Sequence, residues 1–128
     1  MKRAVVAIVN HDSYILLGKK IKKEKKFFSE RWHIPGETLE DGETDEQGLI
    51  RGVKEEAGID IIVGKYLATH HTITPTEVKW YECFAKTYDI KAGSDLTEVK
   101  WTPKNEVLKY IDYQIPLLPQ KILNYFKK

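Results

Sequence analysis

Hydrophobic and polar positions change period several times along this chain, and the changes mark its elements. Residues 4–9 and 14–17 are short apolar, β-rich runs separated by Asn10-His11-Asp12-Ser13, which predicts a hairpin. Residues 19–31 are lysine-rich and show no period, which predicts an exposed loop. Residues 32–34 predict a short strand that Pro35-Gly36 stops. The period then becomes helical: Leu49, Val53 and Ala57 recur at i, i+4 and i+8, joined by Ile50, so that face points to the core. Thr44 or Asp45 can cap this helix, Glu46 and Gln47 stand in its first turn, and Gly58 is placed to end it. Two long β-like runs follow, 61–73 and 78–90, joined through Thr74-Pro75-Thr76. A short strand at 98–101, a brief helix from Pro103 to about residue 111 and a last helix at 116–126 complete the chain. Strands on both sides of one strong helix predict an α/β (α+β) fold, a mixed sheet with helices on its faces.

Composition narrows the class. With 128 residues, 41% hydrophobic and 31% charged, and no repeat or linker, residues 1–128 read as a single globular domain. The N-terminal MKRAVVAIVN is too short an apolar run to span a bilayer and lacks a small-residue cleavage site, so no membrane partner and a cytoplasmic location are expected. The single cysteine, Cys83, excludes an internal disulfide and reads as a half-buried strand residue. Net charge is only +2, but it is unevenly placed: lysines 19, 20, 22, 23, 25 and 26 are followed by an acidic block at 37–60.

That block carries the chemistry. Glu55 and Glu56 are adjacent near the helix end, just before Gly58, and Glu37, Glu40, Asp41, Glu43, Asp45 and Glu46 precede them. A divalent cation explains such crowding better than a fold does, because hard cations take carboxylate oxygens and complete their shell with water and phosphate. Residues 32–59 also resemble the Nudix box. Glu43, Arg51, Val53, Glu55, Glu56, Gly58 and Ile59 fall in its register, with Trp32 and Pro35-Gly36 as lead-in. The resemblance implies a Nudix-type α/β/α sandwich and a hydrolase that cleaves a pyrophosphate bond in a nucleoside diphosphate linked to another group. The simplest such substrate is a nucleoside triphosphate; the short chain favours a nucleotide partner over RNA. It implies Mg²⁺ or Mn²⁺ as cofactor, with Glu55, Glu56 and the carbonyl of Gly36 as ligands. Arg51, one helical turn before Glu55, is placed to orient a carboxylate, and Glu43 is a supporting acid.

Two positions depart from the pattern. Glu37 stands where the box begins with glycine, and it would be strained if that position needs positive φ. Gly52 replaces the glutamate after Arg51, which in the family is a metal ligand and often the presumed base. That leaves Arg51 without its usual partner. Gly48 and Gly52 lie one turn apart in a helix where each costs about 1 kcal/mol relative to alanine. Three readings stay open: a bare groove that admits substrate or water, drift toward weak catalysis with binding kept, or an introduced substitution that traps a complex. Restoring the acid by Gly52→Glu is expected to raise turnover by about tenfold or more. Otherwise another acid must position the water, with Glu98 leading and Glu77 and Glu82 behind it. A binding module without catalysis is the competing function.

Other residues are candidates for reading a substrate. Lys20 and its neighbours could meet a polyphosphate, although a lysine-rich loop is more often simply solvated. Phe28, Phe27 and Trp32 could stack on a base, or else close over the core. His33, His70 and His71 show no metal-ligand spacing and read as partly exposed strand residues. Exposed strand edges are compatible with a homodimer.

Overall fold

The computed structural model describes residues 2–21 and 29–127. Along β1 (Lys2–His11), Val5, Ala7 and Val9 face one way, while Ala4, Val6 and Ile8 face the other. Both sets pack against apolar neighbours because helices lie on both sides of the sheet, so this strand is apolar on successive positions. The predicted hairpin returns the chain as β2 (Tyr14–Lys20), with His11 opposite Tyr14. Its Leu16 joins the first face, and Ile15 and Leu17 join the second.

β1 also pairs antiparallel with β4 (Gly36–Thr38) and parallel with β6 (Thr76–Ala85). β5 (Ile61–His71) lies antiparallel on β6. β2 pairs antiparallel with β3 (Trp32–His33) and, along its whole length, with β7 (Leu96–Pro103). The parallel β1–β6 pair makes the sheet mixed, as expected. α1 (Asp45–Ala57) packs Leu49, Val53 and Ala57 on the first face. Val107 of α2 (Val107–Tyr110) and Ile122 and Phe126 of α3 (Gln120–Lys127) pack on the second. The result is an α/β/α sandwich. Among the described residues no helix is long and apolar enough to cross a membrane.

The strong helix forms as its sequence predicts. Thr44 is the cap: its hydroxyl accepts from the Gln47 N–H, and the Gln47 side chain accepts from the Thr44 N–H. Gly58 closes the other end at φ 73°, a left-handed turn that suits glycine. Ile50 departs from expectation; it is 38% exposed, off the buried stripe.

Several expectations need correction. The chain does not stop at Pro35-Gly36: the Pro35 carbonyl accepts from the Ala7 N–H, and residues 36–38 continue as β4. Glu37 is therefore extended, it is not among the positive-φ residues, and the strain expected there is absent. The run at 78–90 leaves the sheet after Ala85, because its backbone donors go elsewhere. Lys86 and Thr87 donate to the Asp60 carbonyl, Lys91 to Ala57 and Gly93 to Glu56. Cys83 and His33 are buried, at 0% and 6% exposure, where half-exposed strand positions were expected. Phe27, Phe28 and the lysines at 22, 23, 25 and 26 lie outside the described residues.

Candidate functional site

α1 lies close to the segment before it, and side chains of that segment fill the space at two of its positions. A Cβ at Gly48 would run into the Leu39 side chain. A Cβ at Gly52 would sit 2.9 Å from the Glu37 Cβ. The bare groove, one of the three readings left open for these glycines, is filled by the chain's own Leu39 and Glu37. Close packing explains both helix glycines despite their propensity cost. It also revises the expectation for Gly52→Glu, since a new side chain there must displace Glu37.

Arg51 organises the outer side of the helix. Its Nε and Nη2 donate to the two carboxylate oxygens of Glu43 at 2.7 and 2.8 Å. Nη1 donates to Glu55 Oε1 at 3.1 Å, and Nη2 also donates to the Thr38 carbonyl. Arg51 thus has partners without an acid at position 52. The bidentate Arg51 pair, helped by the Glu40 N–H, holds the Glu43 carboxyl at about 2. Glu43 is consequently an anchor for Arg51, and Arg51 fixes Glu55.

Glu56 faces inward. It is 3% exposed, and its Oε1 has no hydrogen-bond partner. Burial pushes its carboxyl up to about 8; Lys20 opposes the shift, while Glu37, Asp95 and Glu55 add to it. Lys20 Nζ lies 3.8 Å from Glu56 Oε2 and 2.9 Å from Asp95 Oδ2, so it bridges the two acids. Asp95 reaches this point because residues 91 and 93 donate to the last carbonyls of α1. Gly93 is needed there, since a Cβ would meet the Glu55 carbonyl oxygen. Beside Glu56 is a cavity of about 10 Å³, room for one water or a bare ion, lined also by Gly36, Glu37 and Gly52.

Two acids in the last turn of a helix oppose its dipole, so stability does not account for Glu55 and Glu56. Among the described residues, no three His, Cys, Asp or Glu groups are already gathered as a metal cluster. The chain's own cations satisfy the acids instead, Arg51 at Glu55 and Lys20 at Glu56. The donors nevertheless fit a hard cation. They are carboxylate and carbonyl oxygens, and Glu56, which lines the small cavity, has one buried carboxylate oxygen unsatisfied.

The structure does not bring Glu98, Trp32, Glu77 or Glu82 to this point. Glu98 pairs in register with Lys19 and lies 3.6 Å from its Nζ. Lys19 and Lys20 are successive in a strand and project to opposite faces, so Glu98 sits across the sheet from Glu56. Trp32, also in register with Lys19, packs against the α2–α3 side, edge-on to Tyr110. Glu77 contacts Arg3 and Lys79, and Glu82 accepts from Tyr125. Sequence reasoning missed Asp95. Its only signal was Gly93-Ser94, turn-forming residues between the run ending at 90 and the strand expected at 98–101.

Comparisons with known proteins agree with this geometry. The NUDIX domain family model matches residues 1–120. A CTP pyrophosphohydrolase of Escherichia coli is 34% identical over 70 residues, 55% of this chain and 50% of its own length. An 8-oxo-dGTP diphosphatase of Proteus vulgaris is 57% identical over 30 residues, 23% of this chain and 27% of its own. The chain therefore spans half or less of the curated relatives it matches. A NUDIX hydrolase structure from Nitrosomonas europaea superposes with a TM-score of 0.77 at 21% identity, covering 97% of this chain and 87% of that one. The solution structure of the E. coli ORF135 protein gives 0.68 at 26% identity, covering 86% and 79%. With its box helix, its mixed sheet and a family match over nearly its whole length, the chain belongs to the Nudix family.

Proposed function

We infer that this chain hydrolyses a pyrophosphate bond in a nucleoside diphosphate-X compound, most simply a nucleoside triphosphate, with Mg²⁺ or Mn²⁺. The observation that carries the reading is the unpartnered Glu56 oxygen, buried beside a small cavity in the box of a Nudix chain. The names of the two curated relatives, both enzymes of nucleotides, support the substrate class.

Glu55, Glu56 and the Gly36 carbonyl are the groups to hold the cation. When bound, it supplies positive charge for the phosphate oxygens and acidifies a coordinated water. Arg51 keeps Glu55 in place, and Glu43 keeps Arg51 in place. Lys20, once released from balancing Glu56, is available to a phosphate oxygen. The Glu55 side chain is half-exposed, so solvent has access to this end of the site.

The test is a panel of nucleoside triphosphates and diphosphate conjugates incubated with Mg²⁺, with phosphate and pyrophosphate release measured. Turnover that Glu55→Gln abolishes is expected. Nucleotide binding with no turnover on any member would replace the reading with a binding module, which the missing acid at Gly52 would then explain.

A further inference from the structure

We propose that Glu37 supplies the carboxylate that position 52 lacks, so that the two departures from the box are one exchange and Glu37 is a cation ligand with Glu55, Glu56 and the Gly36 carbonyl. The argument starts from steric exclusion. The Glu37 Cβ lies 2.9 Å from where a Cβ on residue 52 would stand, its Cγ lies 3.2 Å away and its Oε2 3.5 Å away. Two glutamates cannot both root at this point; one can. The acid has moved from the helix to the facing strand while its side chain occupies the same gap.

What surrounds Glu37 agrees with that assignment. Its Oε2 lies 3.7 Å from Arg51 Nη1, the same nitrogen that donates to Glu55. Glu37 and Glu56 line one cavity, with Gly36 and Gly52, and Glu56 carries a buried oxygen without a partner. Pairing of residues 36–38 with β1 fixes the backbone that presents both the Gly36 carbonyl and the Glu37 side chain. An acid on a paired strand is held as firmly as one on a helix. Without the exchange, the helix glycine and the strand glutamate would be two unrelated departures from the pattern.

This inference rests on the cation reading above, and the test separates the two. Isothermal titration calorimetry with Mn²⁺ alone is run on the full chain, on Glu37→Gln, on Gly52→Glu and on the exchanged Glu37→Gly/Gly52→Glu, with thermal melts as a folding check. Glu37→Gln, close to isosteric, should weaken Mn²⁺ binding by about tenfold or more. The exchanged variant should recover it, and Gly52→Glu alone should give no gain. Mn²⁺ binding unchanged by Glu37→Gln overturns the inference and leaves the cation site standing. No Mn²⁺ uptake by the parent chain overturns both. If the exchanged variant fails to fold, Glu37→Gln decides the matter by itself.

Discussion

His33 and Glu56 are buried titratable groups whose ionisations act on stability in opposite directions. Burial lowers the His33 imidazole from 6.5 to about 4, reinforced by Lys20. The unfolded chain therefore takes up a proton below pH 6.5 that the folded chain refuses until about pH 4. His33 stabilises fully above that window, and its contribution is lost as pH falls through it. Glu56, raised to about 8, contributes fully below 4.5 and loses its contribution as pH rises toward 8. The net slope mixes both. His33→Asn keeps a donor for the Gly18 carbonyl, which now bonds Nδ1 at 2.8 Å, and removes only the imidazole titration. The melting temperature of the parent should gain on that of the variant between pH 4.5 and pH 7. A gap that does not change with pH would show that the imidazole titrates normally.

At the scale of elements, the junction between α1 and residues 86–95 ties the acidic helix end to β7. The segment donates two backbone N–H groups to the last carbonyls of α1, where a helix leaves acceptors unsatisfied. Gly93 permits this approach, because the obstacle to a larger residue is the Glu55 backbone oxygen, which cannot swing aside. Gly93→Ala should therefore destabilise by about 1–3 kcal/mol, read from denaturant midpoints at constant slope. It should also separate Asp95 from Lys20, visible as faster amide exchange at residues 93 and 96. Full stability with unchanged exchange would mean that the junction yields easily. The same junction shows why the apolar run at 78–90 misled: its composition suits a strand, but Lys86 and Thr87 donate to the Asp60 carbonyl beyond the helix end and not to a neighbouring strand. The three residues of β4 carry no period of their own. They become a strand only because β1 offers them an unpaired edge.

Over the whole molecule, two clusters of apolar side chains share one sheet, and the site lies at the seam between α1, β1, β4 and β2. A cation that bridged Gly36 and Glu56 would join β4 to α1. Saturating Mg²⁺ should therefore raise the melting temperature, by an amount near that of about 2.7 kcal/mol at 100 times the dissociation constant. Chelation with EDTA should reverse it. A melting temperature indifferent to Mg²⁺ and EDTA would argue against a site that spans these elements.

Much of this protein was written locally. Apolar residues one turn apart, a Thr44 cap and a Gly58 stop specify α1, because helix signals act within a few residues. The box spacing likewise puts Arg51 one turn from Glu55 in any helix that forms. The sheet's mixed character followed from the order of its elements. What only the tertiary structure decided is which distant groups meet. Glu37 and Gly52 share one space, Asp95 rather than Glu98 approaches Glu56, and Trp32 falls on the far face. Those outcomes depend on strand register and on which side of the sheet a residue projects, and a shift of one residue reverses the face. Register is settled by pairing between segments far apart in the chain, so no local pattern could have announced it.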